Sequence, residues 1–319
     1  MTKDKNRTPG FRRNDSKQPY FEGYYFKFIN EKKELVILIA GISISKNEKY
    51  SFIQLASNFD KNVAFYKFPL SEFKSSKDSF LFSIGNNTFK RNEITLNLED
   101  ISLQLQLKNS LNWNRSALNP NIMGFLSFIP KVECKHDIIT VEAEVTGSVE
   151  FQNRTILFDK SRGYIEKNWG YSFPKKYLWL HANQFKNDQL SLQFAMAKPK
   201  WLIFRPQVYI GYLMNGRFIH FGSHRLSLAN VKTEGEQTLI KINKFRHSIK
   251  IRVTNRTPIN LISPKEGKLQ NEISEYLNST IELTVLKKKL FGKNKEIIND
   301  ISRLSTTEVH NESQNSQKP

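Results

Sequence analysis

Within Ser161–Phe185, SRGYIEKNWGYSFPKKYLWLHANQF, a single carboxylate, Glu166, stands among three tyrosines and two of the chain's four tryptophans. A carboxylic acid walled off from water by aromatic rings resists ionisation, because burial penalises its charged form. Such a group can protonate a carbon–carbon double bond where water would otherwise compete. The cation so formed is attracted to ring faces by roughly 0.5–2 kcal/mol, and a positioned general acid contributes about 10²–10⁴-fold in rate. Glu166 is therefore the candidate catalytic residue. The competing reading is structural, an ion pair of Glu166 with Lys167, Lys27 or Arg162 at the edge of the fold.

Other residues could complete a pocket. Tyr164 and Trp169 flank the acid. If residues 179–185 form a strand, then Trp179, His181, Asn183 and Phe185 share one face, and a face mixing rings with an imidazole and an amide suits a ligand pocket. A histidine bonded to backbone within the core is the alternative for His181. A second acid, Glu22, occupies the matching place in YFEGYYF (residues 20–26), with Tyr25 beside it. There it either joins the pocket or hydrogen-bonds strand ends. Cys134 and His136, two apart, fall on one side of a strand but are too few for zinc. No orienting third group marks them as a nucleophilic pair, so Cys134 reads as a small buried residue. No phosphate-cradling glycine loop, His-Glu-x-x-His or Gly-x-Ser-x-Gly occurs, and neither metal nor organic cofactor is expected.

The 319 residues carry 49 Lys+Arg against 30 Asp+Glu, a formal charge of +19. Lysine is spread along the whole chain rather than gathered on a nucleic-acid-binding motif, so nucleic acid is not the expected partner. Contact with anionic membrane surfaces is, because each basic residue gains about 1 kcal/mol there. One cysteine excludes an intrachain disulfide and fits a reducing compartment. The N-terminus has no apolar stretch after its basic residues, so it reads as no secretory signal. The most apolar window, LVILIAGISI (residues 35–44), is too short for a helical span and reads as a buried strand. The expectation is a cytoplasmic protein that visits membrane surfaces.

The elements that must position these residues are strands. Residues 101–109 and 139–151 alternate apolar and polar side chains, and two aromatic, β-branched runs flank Asn215-Gly216, a type I′ hairpin signal. Leu269, Ile273 and Leu277 recur at four-residue spacing, which admits one helix over 268–278. Residues 1–17 and 301–319 are poor in apolar side chains and read as tails. Many short strands between them argue for barrels or a sandwich. A faint repeat, YFEGYYF at Tyr20 and YIEKNWG at Tyr164, suits two barrel-sized units over 18–160 and 161–300.

Three ordered stretches resemble the tocopherol cyclase family: PYFEGYYFK (19–27), NPNIMGFLSFIPKVECKH (119–136) and GYIEKNWG with the Trp-containing strand after it (163–185). The resemblance implies an all-β fold of two tandem lipocalin-like antiparallel barrels, related to the carotenoid hydratase group. It also implies ring closure of a prenylated quinol or similar isoprenoid by alkene protonation and capture by a phenol oxygen, with no cofactor. Departures from the family pattern include Asn168 where an aspartate is usual and His181 where a glutamine is common. The alternative function is non-catalytic carriage of a hydrophobic isoprenoid in the same barrels, which the missing acid at Asn168 favours.

Overall fold

The computed structural model describes residues 10–11, 19–76, 79–116, 119–130, 132–151, 153–198, 207–214, 216–289 and 294–311. They form two antiparallel sheets. The first contains β1 (Tyr20–Ile29), β2 (Leu35–Ile44), β3 (Lys49–Ser57), β4 (Ala64–Pro69), β5 (Phe73–Ser75), β6 (Leu81–Ile84), β7 (Asn87–Lys90), β8 (Glu93–Asn97), β9 (Ile101–Asn112), β10 (Cys134–Phe151) and β11 (Arg154–Gly170). The second contains β12 (Lys176–Ala182), β13 (Ser191–Ala197), β14 (Gln207–Met214), β15 (Arg217–Gly222), β16 (Leu228–Glu234), β17 (Gln237–Lys244), β18 (His247–Thr254), β19 (Ile259–Lys265), β20 (Lys268–Lys287) and β21 (Lys295–Asn311). The all-β class holds: the first sheet is a nearly closed eleven-stranded barrel and the second a half-barrel of the lipocalin-like kind.

The chain divides into two compact units. The first is 1–121 with 130–173 and 262–271, and the second is 122–129 with 174–261 and 272–319. The division therefore falls after Phe173 rather than at residue 161. It does so because β11, the whole of the acid-bearing strand, is hydrogen-bonded between β1 and β10. The two copies of the faint repeat consequently do not open separate barrels. They are neighbouring strands of one sheet.

The first barrel is filled by aromatic rings. Phe82 stacks on Phe89 at 4.4 Å between centroids and Tyr24 on Phe80 at 4.6 Å. Phe11 sets its edge against Phe73 at 4.6 Å and Phe82 at 4.9 Å. Such pairs add about 0.5–1.5 kcal/mol each beyond the area they bury. Phe11 belongs to the expected tail 1–17, yet it is buried in this core. Residues 301–311, placed in the other expected tail, complete β21 between β12 and β20. Residues 268–278 form no helix but the first half of β20. A spacing of four is also two periods of a strand, so Leu269, Ile273 and Leu277 share one strand face. β14 and β15 pair through Met214 and Arg217 as a hairpin, while Asn215 of its turn lies outside the described residues. Among the described residues, no helix is long and apolar enough to cross a membrane.

Candidate functional site

β1 and β11 run side by side with Tyr25 opposite Glu166, Gly23 opposite Asn168 and Glu22 opposite Trp169. Alternation then sorts the side chains. Tyr24, Phe26 and Ile165 belong to the barrel core, and Glu22, Lys167 and Trp169 share their parity. Tyr25, Tyr164, Glu166 and Asn168 lie on the opposite face. Glu166 is therefore outside the ring-filled interior, although it is only 4% exposed.

Three polar side chains meet around Glu166. The Tyr164 hydroxyl donates to Glu166 Oε2 at 2.8 Å, and Asn168 Nδ2 donates to Oε1 at 3.0 Å. Asn168 Oδ1 lies 2.8 Å from His136 Nδ1. With that oxygen able only to accept, Nδ1 carries the proton in a neutral ring. The other ring nitrogen, His136 Nε2, is 3.5 Å from Glu166 Oε2. Imidazole and carboxyl group are thus neighbours, with Tyr164 and Asn168 bonded to the two carboxyl oxygens. Burial, followed by the neighbouring Glu166, pushes the Tyr164 phenol well above its usual range, so it stays a hydroxyl donor at neutral pH.

Two of the cations named as alternative partners are committed elsewhere, while the third, Lys27, stands opposite Tyr164 on the face of Glu166 and is buried. Lys167 pairs with Glu22, both fully buried, and Tyr20 donates to Glu22 Oε2 at 2.6 Å. Arg162 forks onto Glu142 at 2.7 and 2.8 Å. Glu22 thus has the structural role, held on the core side of the sheet by a buried ammonium and a phenol. Asp137, next to His136 in sequence, is bound by Arg115 at 2.9 Å. Burial still raises the Asp137 carboxyl above its ordinary range, more than the guanidinium lowers it.

Of the residues expected in the pocket, the fold joins Tyr164, Tyr25 and Glu166 on one face and turns Glu22 and Trp169 to the other. Trp179, His181 and Asn183 belong to the second unit. There Leu178, Leu180, Ala182 and Phe185 pack in its core, leaving Trp179 and His181 on the far side of β12 and Asn183 just past its end, all buried. Phe185 does not share their face, because β12 ends at Ala182 and the chain turns beyond it. His181 stands in register with Gln193 of β13 and Thr306 of β21. Cys134 is a half-buried thiol rather than a buried one, its Sγ 3.8 Å from Asn168 Oδ1. The described residues hold no cluster of metal-ligating side chains. His136 and Asn168 were not among the residues expected in the site, and their only sequence signal is their place inside the Glu-Cys-x-His and Tyr-x-Glu-x-x-Trp stretches.

The profile of the family described as tocopherol cyclase-like matches residues 86–311. A probable chloroplastic tocopherol cyclase of Oryza sativa subsp. japonica is 26% identical over 195 residues, which cover 58% of this chain and 41% of the rice protein. The chloroplastic tocopherol cyclase of Zea mays is 34% identical over 62 residues, 19% of this chain and 13% of the maize protein. The chain thus spans less than half the length of these curated relatives. Among solved structures, CghA with Sch210972 superposes at a TM-score of 0.56 with 9% identity, covering 97% of this chain and 96% of its own. Kievitone hydratase from Nectria haematococca gives 0.52 with 9% identity, covering 97% and 94%. At such identity these two likenesses establish the fold alone.

Proposed function

The chain belongs to the tocopherol cyclase-like family, and from that premise we propose that it is an acid-catalysed cyclase acting on a prenylated quinol or a related isoprenoid. The observation that carries the reading is Glu166 itself. It is a buried carboxyl group held by a phenol, an amide and an imidazole, while Lys167 and Arg162 serve other acids.

In the proposed reaction Glu166 gives its proton to one carbon of the prenyl double bond and the tertiary cation forms on the other. The phenol oxygen attacks that carbon and closes the ring, and the phenolic proton returns to the Glu166–His136 pair. Substrate and product are isomers, so the cycle consumes no co-reactant. Tyr25 and Tyr164 share the face of Glu166 and offer ring surfaces to the cation, each worth about 0.5–2 kcal/mol. Beside Asn168 the sheet carries Gly23, and beside Gly23 it carries Gly41. The Phe52 ring reaches this level, its Cζ 3.8 Å from where a Cβ on Gly23 would stand, and adds a further aromatic wall. An aspartate in place of Asn168 would set two carboxyls about 3 Å apart and make them share a proton, as such dyads do. The amide instead donates to Glu166 and leaves it the one acid of the cluster.

The test is incubation of the purified protein with prenylquinols of several chain lengths, following chromanol formation. Wild type should turn over and Glu166→Gln should be slower by 10²-fold or more. Equal turnover by the two proteins removes Glu166 from the chemistry. Tight quinol binding without product supports carriage instead and overturns the cyclase reading.

A further inference from the structure

We propose that one rim of the second unit is a docking surface for anionic lipid bilayers, with phenylalanine and leucine side chains entering the interface and lysine and arginine meeting the headgroups. Nine large apolar side chains stand exposed among the described residues, and five of them belong to this rim. Leu226 and Phe245 are each 88% exposed, Phe128 63%, Leu228 58% and Phe125 51%.

Three segments distant in sequence build the rim. The 3-10 turn Gly124–Phe128 lies against the turn Ser223–Arg225: the His220 ring donates to the Ile122 carbonyl at 3.1 Å, and Phe125 meets His224 edge-on at 6.0 Å. Gly124 is fixed at this crossing, since a Cβ there would come within 2.5 Å of the His224 ring. Leu226 follows directly, and Leu228 opens β16 opposite Asn243 of β17. Phe245 stands two residues beyond Asn243, at the β17–β18 turn. The five side chains therefore crowd one end of the half-barrel.

Leu226 gives an independent reason to regard the rim as a selected feature. Its φ is +59°, a left-handed conformation in which a bulky side chain is an outlier, and that side chain is held out in water. Asparagine or glycine would fit the backbone with less strain and the solvent with less cost. A leucine there makes sense if the solvent is not always water.

Charge completes the surface. Residues 217–233 and 237–265 contain no aspartate or glutamate. Arg225, Lys244 and Arg246 sit on the rim, with Lys244 over the Phe221 ring at 5.4 Å. The lysine run 287–289 adjoins it through the bond from Lys288 N to Arg246 O, 2.7 Å. Apolar tips ringed by cations match an anionic bilayer, which supplies both a hydrocarbon boundary and negative headgroups. A nucleic-acid backbone offers no place for five exposed apolar side chains, and a second copy of this chain would bring like charges together. The inference deepens the cyclase reading, since a lipid-soluble quinol is met at a bilayer, and rests on that reading only for the quinol.

The test is sedimentation of the full chain with phosphatidylglycerol–phosphatidylcholine vesicles, with no quinol present, so that it succeeds or fails separately from catalysis. Wild type should bind anionic vesicles, more weakly at high salt, and should bind phosphatidylcholine vesicles at least tenfold less. Leu226→Ser with Phe245→Ser should lower the partition coefficient tenfold or more. Leu226→Asn should weaken binding while leaving thermal stability equal or higher, which separates lost insertion from lost folding. No binding to anionic vesicles, equal binding by the double variant, or equal binding to neutral vesicles would each overturn the proposal. So would an affinity for RNA that exceeds the affinity for vesicles and survives the double substitution.

Discussion

Replacing Lys167 with methionine tests whether the acid on the core side of the sheet is structural. Lys167 and Glu22 are both fully buried and paired. The ammonium also donates to the Gly10 carbonyl at 2.9 Å and lies 5.2–5.5 Å from the ring centroids of Tyr24, Trp169 and Phe11. Methionine fills much of the volume but leaves Glu22 with the Tyr20 hydroxyl against its charge. Breaking a buried pair from one side costs about 3–5 kcal/mol. The loss should fall toward the upper end, because the same substitution releases the Gly10 carbonyl and with it the anchor of Phe11. Against a total stability of about 5–15 kcal/mol for a domain, that is a large fraction. The assay is urea unfolding followed by tryptophan fluorescence, Trp169 lying beside the substituted side chain. Glu22→Gln alone should cost a similar amount, and the double variant Lys167→Met/Glu22→Gln should recover roughly 2–3 kcal/mol of the summed loss. Single losses below about 1 kcal/mol, or singles that add to the double within about 0.5 kcal/mol, would refute the pairing.

Four further outcomes follow from the geometry. Asn168→Leu removes the partner of His136 Nδ1 and a donor to Glu166 Oε1 together; it should slow turnover about 10–100-fold at a stability cost of about 1–3 kcal/mol, read by thermal melting. Gly41→Ala would put a Cβ 2.3 Å from the Glu22 carbonyl and 2.6 Å from Gly23 Cα, so β1 and β2 must part and soluble yield should collapse. Gly216→Ala meets nothing within 4 Å and is strained only by its φ of +71°, so it should cost about 1 kcal/mol by the same melting assay. Acid should destabilise the second unit through His220 and His224, which burial lowers to about 3 and about 4. The unfolded chain takes protons at these sites from about pH 6.5 downward while the folded chain does not, so stability present above pH 6.5 is lost as pH falls toward 4. The slope is about 1 kcal/mol per pH unit for each histidine, while Asp137, whose raised value acts in the opposite sense, belongs to the first unit. Chemical denaturation at pH 7 and pH 5 measures the slope, and a midpoint that rises on acidification contradicts it.

The strands that alternate were legible because one of their faces meets water, as in β9, where Ile101, Leu103, Leu105 and Leu107 are buried and the residues between them are not. β2 was legible for the opposite reason, since a short run buried on both faces is apolar throughout. β21 was not. Its second half, SRLSTTEVHN, reads as a polar tail, yet Ser302, Ser305, Thr306 and Thr307 are fully buried. Their hydroxyls are satisfied inside the unit: Ser305 donates to Ser302 at 2.9 Å, and Thr307 donates to Asn255 at 2.7 Å while meeting Ser279 at 2.8 Å. A buried polar group with a partner is tolerated, and that partner, Asn255, is 52 residues away in sequence.

The site was half legible for a related reason. Glu166, Tyr164 and Tyr25 stand in stretches whose composition draws attention to them, whereas the part played by His136 depends on register. Pairing starts with Phe151 opposite Arg154 and, carried without interruption along the hairpin, would set Asp137 against Asn168. Three irregularities between Ile138 and Gly147 shift the ladder by a net residue, so His136 faces Asn168 and Asp137 faces Lys167. A one-residue slip turns every side chain to the other face. Here it exchanges an imidazole for a carboxylate beside Glu166. Had Asp137 stood there, two acids and an amide would have met with no base among them. As built, the bulges deliver a ring nitrogen to 3.5 Å from Glu166 Oε2 and leave Asp137 to Arg115. Bulges cluster where a side chain has to be re-aimed. In this hairpin the residue they re-aim is the imidazole that stands beside the buried acid.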